Sequence, residues 1–206
     1  MLEISLEEAG KRFQYEWVFK NLTLLLSPGQ KTAITGSNGS GKSTLIKCIA
    51  GQMPLSSGQI RYRIGGMEIP SSEIYRQLAL SAPYLELPEE FTLIEFLRFH
   101  FRFKSLKNGI SIEEAVQYMY LEKSSGKTIQ HFSSGMKQRL KLGMCFFSAC
   151  PLLLLDEPTS NLDERGVQWF QGLVADFGND KSIIVGSNDP REYLFCAEKV
   201  AIENFK

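Results

Sequence analysis

The stretch GSNGSGKS, residues 36–43, satisfies the spacing G-x-x-x-x-G-K-S, and each residue type in it has a use in phosphate chemistry. Glycines at 36, 39 and 41 permit a tight loop whose backbone N–H groups turn inward around phosphates. A helix beginning directly afterwards would add its partial positive end. Lys42 has the length to reach β- and γ-phosphates, and the Ser43 hydroxyl can ligate Mg²⁺. The candidate nucleotide-contacting set is therefore Gly36, Ser37, Asn38, Gly39, Ser40, Gly41, Lys42, Ser43 and Thr44. A chance Gly-rich turn is the bland alternative, but a strand pattern before the loop and a helix pattern after it argue against chance.

A second constellation is LLLLDEP, residues 152–158. Four apolar residues read as a buried strand, expected beside the strand that leads into the Gly-rich loop. Asp156 at its carboxyl end can hold Mg²⁺, and Glu157 can polarise a water toward a γ-phosphate. A third is FSSGMKQR, residues 132–139, a Ser/Gly turn running into a basic amphipathic stretch, the form of an anion-binding helix start. A plain helix N-cap is the competing reading of that turn.

The elements that must position these groups follow from periodicity. LEISLE (2–7) and NLTLLL (21–26) read as strands, and Pro28-Gly29 turns the second into KTAIT (31–35). KSTLIKCIAG (42–51) has helical spacing and stops at Gly51; QIRYRI (59–64) and QLALSA (77–82) read as strands. From Phe91 to about Ser125 two helical segments appear, each with an S/T-x-x-E capping box, at Thr92–Glu95 and Ser111–Glu114. Residues 134–148 and 166–177 read as helices, 152–156 and 181–187 as strands. Strand and helix alternate around an all-helical insert at about 84–148. The expected fold is α/β, with a mostly parallel sheet, an N-terminal antiparallel β portion and the insert, in one domain over 1–206.

Composition narrows the classes. Lys and Arg number 23 against 23 Asp and Glu, so no bulk field favours nucleic acid or an anionic membrane. The acidic, alternating MLEISLEEAG is unlike a signal or transit peptide, and the apolar run at 144–155 is too short to span a bilayer. Four scattered cysteines form no C-x-x-C pair, so buried reduced thiols are expected rather than a zinc site or disulfides.

The order GSNGSGKST, FSSGMKQR, LLLLDEPTSNLD resembles the ATP-binding subunits of ABC transporters, over nearly the whole chain. That resemblance implies a P-loop NTPase fold, ATP and Mg²⁺ as ligands, and ATP hydrolysis driven by a head-to-tail sandwich of two subunits. It also implies separately encoded transmembrane partners, with the chain cytoplasmic and peripheral on the inner face of the membrane, without insertion of its own. FSSGM stands at the family's signature turn, so Ser133, Ser134 and Gly135 would face the nucleotide held by the other protomer, with Phe132, Ser134 and Met136 departing from the usual pattern. SNLD resembles the D-loop, which would put Asp163 at the dimer seam, and Phe13 stands where an aromatic stacks on adenine, with Tyr15 as competitor and a core role open for either.

Two departures stand out. The strand before the helical lobe ends Ser81-Ala82-Pro83-Tyr84, without the family's Gln, and Asn188 takes the place of its switch His. Neither His100 nor His131 is placed to substitute. Asn188 is a candidate catalytic residue that cannot become cationic, which points to slow turnover; capping of the DPREYLF segment is its alternative role. A low-turnover ATP-binding regulatory module, or an ABC-type ATPase without a membrane partner, are the competing functions. In TLIEFLRFHFRF, Leu93, Phe96, Leu97 and His100 share one helical face while Phe99 and Phe103 pair on another, an apolar patch suited to a membrane subunit.

Overall fold

Alternation decides the N-terminal region. Leu2, Ile4 and Leu6 are buried while the residues between them are only partly so, the signature of a sheet with one face on a core. The computed structural model describes residues 2–206. Its strands are β1 (Leu2–Phe13), β2 (Glu16–Leu26), β3 (Lys31–Thr35), β4 (Ser57–Ile64), β5 (Met67–Ile69), β6 (Leu78–Ser81), β7 (Leu152–Asp156), β8 (Ser182–Gly186) and β9 (Glu198–Ala201). Its helices are α1 (Lys42–Ile49), α2 (Leu93–Phe103), α3 (Ile112–Tyr118), α4 (Ser134–Phe147) and α5 (Glu164–Phe177). Short 3-10 turns complete the set.

Two sheets form. One is antiparallel in the order β2-β1-β4-β5, and the other runs β6-β7-β8-β3-β9 with every pairing parallel. Helix α1 lies between them. Its Leu45, Ile46 and Ile49 share a buried cluster with Ile4, Leu6 and Tyr62 from one sheet and Leu154 and Ile184 from the other. On the opposite face of the parallel sheet, Leu153, Leu155 and Val185 join residues of α2, α4 and α5. Strands β7 and β8 are buried at every position, as parallel strands covered on both faces must be.

Helices α2, α3 and α4 occupy the segment between β6 and β7. Both capping boxes form: Thr92 N–H donates to Glu95 at 2.9 Å and Ser111 N–H to Glu114 at 2.8 Å. All four cysteines are buried and free.

One expectation about neighbours is corrected. β7 does not lie beside β3, because β8, which follows both in sequence, inserts between them. β5 and β9 were not foreseen either. Each has three or four mostly exposed residues at a sheet edge, too few to display a period, and β9 carries Glu198 and Lys199 there.

Candidate functional site

The Gly-rich loop and the Asp-Glu pair both lie at the carboxyl ends of parallel strands, where open α/β sheets bind ligands. The Gly-rich loop leaves β3 and enters α1 through Gly41, whose φ of +110° is left-handed. A Cβ there would also stand 2.4 Å from Val18 Cγ1, so no other residue fits. Lys42, 4% exposed, folds back over the loop and donates to the carbonyls of Gly36 (2.9 Å) and Ser37 (3.0 Å). Thr44 lies one residue further into α1, part-buried.

Distant side chains hold the loop from outside. Glu203 accepts from both Ser37 N–H (3.0 Å) and its hydroxyl (2.6 Å), Lys206 donates to Ser40 O at 2.7 Å, and Asn188 Nδ2 donates to Asn38 Oδ1 at 3.1 Å. Asn188 therefore bridges to the loop rather than capping the segment after it. Asp189 does the capping, accepting from Arg191 N–H at 2.9 Å.

Asp156 is 1% exposed, and neither carboxylate oxygen has a hydrogen-bond partner. The Ser43 hydroxyl lies beside it without good hydrogen-bond geometry. Burial pushes this carboxyl up; Ser43 opposes the shift, Glu157 adds to it, and Lys42 and Lys47 oppose it. Although β8 intervenes, Asp156 meets α1 across Gly186, the residue paired with it in the sheet. A Cβ at Gly186 would come within 3.0 Å of Asp156 Oδ1 and 2.6 Å of Ile46, so the missing side chain opens the window between carboxylate and loop.

A buried, unpartnered carboxylate facing a serine hydroxyl is what a divalent cation requires. Mg²⁺ is a hard cation that uses few protein ligands and completes its shell with water and phosphate oxygens, so one carboxylate and one hydroxyl would fit it. Glu157 follows at φ +45°, a left-handed conformation costing a non-glycine residue about 1–3 kcal/mol, anchored by its N–H to Gly186 O at 2.9 Å.

The turn at 132–139 is arranged differently. Ser133 caps α4, its hydroxyl accepting from Met136 N–H at 3.2 Å and keeping its own proton to donate. Ser133 and Ser134 are exposed, and a Cβ on Gly135 would sit 3.2 Å from Asn161 O, so the turn and the SNLD segment touch. The basic residues look away: Lys137 pairs with Glu89 at 2.5 Å, Arg139 lies 4.6 Å over the Trp169 ring, and Lys141 donates to Ala82 O at 3.2 Å. Any anion here would meet backbone N–H groups and serine hydroxyls. Asp163 accepts from Gly166 N–H at 2.8 Å and starts α5.

Phe13 is 50% and Tyr15 93% exposed, which removes a core role for either. His100 and His131 lie away from the loop, on Ser148 Oγ and Gln130 respectively, each at 3.3 Å. Besides Glu203 and Lys206, three more residues escaped sequence reasoning. Gln138, 2% exposed, donates to Pro158 O at 2.6 Å, and Glu192, 3% exposed, accepts from Thr159 N–H at 2.6 Å, together fixing the chain after Glu157. Gly186 alone gave a signal, a glycine inside an apolar strand.

The ABC transporter family matches residues 19–160. The cytochrome c biogenesis ATP-binding export protein CcmA of Mesorhizobium japonicum is 33% identical, over 82% of this chain and 83% of its own. Human phospholipid-transporting ATPase ABCA3 is 29% identical over 89% of this chain, which spans only 11% of that protein. A solved structure of an ATP-binding subunit of an ABC transporter superposes with a TM-score of 0.81 at 26% identity, covering 98% of this chain and 86% of its own.

Proposed function

The chain belongs to the ABC transporter family, as an ATP-binding domain, and on that premise we propose that it hydrolyses ATP to power a transporter through a sandwich of two such subunits. The observation that carries the reading is Asp156, buried and unpartnered opposite Ser43 and Lys42 across Gly186. Ser43 and Asp156 would hold Mg²⁺, which when bound would supply positive charge against the phosphates. Residues 36–44 wrap the phosphates, Lys42 swings from the Gly36 and Ser37 carbonyls to a phosphate oxygen, and Phe13 stacks on the adenine. Glu157 takes the proton of the attacking water.

The exposed Ser133 and Ser134 and the part-buried Gly135 face the nucleotide of a second ATP-binding subunit, identical or different, with Asp163 at the seam. The Ser133 hydroxyl keeps a proton to donate, which supports an anion contact at this turn. The whole of 1–206 acts as one domain, with 84–148 as its helical lobe. Separately encoded membrane subunits dock on the lobe, where Phe99 (46% exposed) and Phe103 (76%) stack edge to face at 5.1 Å. Among the described residues no helix is long and apolar enough to cross a membrane, in keeping with a peripheral place on the cytoplasmic face.

Replacing Glu157 by Gln tests the chemistry. ATP binding is expected to persist while hydrolysis falls at least about a hundredfold, the lower bound typical of losing a general base. A variant that turns ATP over at the wild-type rate refutes the assignment. A specific observation favours slow turnover in the wild type as well: the switch position is a neutral Asn already engaged with Asn38.

A further inference from the structure

The family resemblance expects a Gln at the end of the strand before the lobe, and this chain has none, yet the place beside Asp156 is filled. β6 pairs in parallel with β7, with Ser81 opposite Leu155, so the chain leaving β6 passes next to Asp156, the following residue of β7. Leu85 N–H closes a turn on Ala82 O at 3.2 Å and folds residues 82–85 over that strand end. Pro83 has no N–H to offer. Tyr84 is 38% exposed there, and its ring is held by Lys47, whose Nζ stands 3.8 Å from the ring centroid. Lys47 lies four residues after Ser43 on α1, so one face of one helix presents the cation-binding hydroxyl and anchors the tyrosine.

We propose that Tyr84 is a cation-positioning residue, its phenolic hydroxyl bonded to a water of the divalent cation held by Asp156 and Ser43. This rests on the nucleotide-site reading above and adds to it the residue that orders the outer side of the cation's shell. The chemistry suits the task. A tyrosine hydroxyl is protonated near neutral pH and can both donate and accept. Outer partners of this kind orient metal-bound groups and commonly govern about ten- to hundredfold in affinity. The bland alternative is that Tyr84 is only a platform for Lys47. Replacement by Phe separates the two, because it keeps the ring and removes the hydroxyl.

The experiment uses the full chain with ATP and Mn²⁺ as the cation probe, followed by paramagnetic resonance, with ATP binding in EDTA measured in parallel. Tyr84→Phe is expected to weaken Mn²⁺ in the ATP-bound protein about tenfold while ATP affinity in EDTA is unchanged. Tyr84→Gln, which returns a neutral donor and acceptor, is expected to recover most of the loss. Asp156→Asn serves as the reference. If it loses Mn²⁺ while the Phe variant equals wild type, the Tyr84 proposal falls alone; if neither variant changes Mn²⁺ binding, the cation site itself is wrong and the proposal falls with it.

Discussion

The loop at 36–43 and the turn at 132–139 are both Ser/Gly-rich starts of helices, but the chain secures them in opposite ways. Glu203, Lys206, Asn188 and Lys42 all bond to the loop, three of them from residues more than a hundred positions away. The turn has a self-made cap at Ser133 and a Gln138 bond to Pro158 O, and the cations of its helix, Lys137, Arg139 and Lys141, are spent on Glu89, the Trp169 face and Ala82. One is a finished pocket wall that needs only ligand. The other leaves helix-start N–H groups and hydroxyls facing outward, which has a use only if something outside the chain supplies the anion. On the proposed reading the site is divided between the loop of one copy and the turn of another, and assembling it calls for a second subunit.

Breaking the loop gives the largest effect. Lys42→Ala removes a charge-assisted phosphate contact worth about 1.5–3 kcal/mol, so ATP affinity is expected to fall at least about tenfold by calorimetry, with the turn unaffected. Unchanged affinity at matched Mg²⁺ would show that the loop is not the site.

Acid is expected to separate the two regions next. His100 sits at the far end of the turn's helix: Ser148 donates to Met144 O at 2.6 Å, so its oxygen accepts from His100 Nε2, 3.3 Å away. Burial lowers this imidazole to about 4, and the charge of Lys104 acts in the same direction. Between pH 6.5 and 4 the unfolded chain binds more protons than the folded one, so stability present above 6.5 is lost as pH falls through that window. With allowance for the ring's remaining exposure the loss is about 2 kcal/mol by pH 4.5. Urea titrations are expected to show it, and His100→Gln to remove most of it; an equally steep loss in the variant would place the sensitivity elsewhere.

Asn188→His is the finest adjustment. A cationic donor in place of a neutral one is worth roughly 1 kcal/mol, about fivefold in turnover, with ATP affinity little changed. A wild-type protein that already hydrolyses ATP briskly, and is indifferent to the change, would show that Asn188 does not limit the chemistry.

What could be read from the sequence was local. The Gly-rich loop, the Asp-Glu pair and both capping boxes are set by residues within a few positions of one another; both boxes form, the loop joins β3 to α1, and the pair stands at the end of β7. Sheet order was not legible, because inserting β8 between β7 and β3 depends on how crossovers pack, and the parallel strands look alike as apolar runs. Glu203 and Glu192 were hidden for a related reason. Each acts on a segment far away in sequence, and nothing in an isolated Glu marks its partner. Gly186 could have been caught, since an apolar strand that ends in Gly implies something close on that side.

The central claim is that the loop of one copy and the turn of another close on the same ATP. It is tested most directly by placing Asn38→Cys in one copy and Ser134→Cys in a second, both also carrying Glu157→Gln, and oxidising the mixture with and without ATP-Mg. The account predicts a covalent dimer of twice the 23.3 kDa chain mass that forms only with ATP and only when both cysteine variants are present. A cross-link within a single chain carrying both cysteines, or a mixture that stays monomeric at saturating ATP, would contradict it.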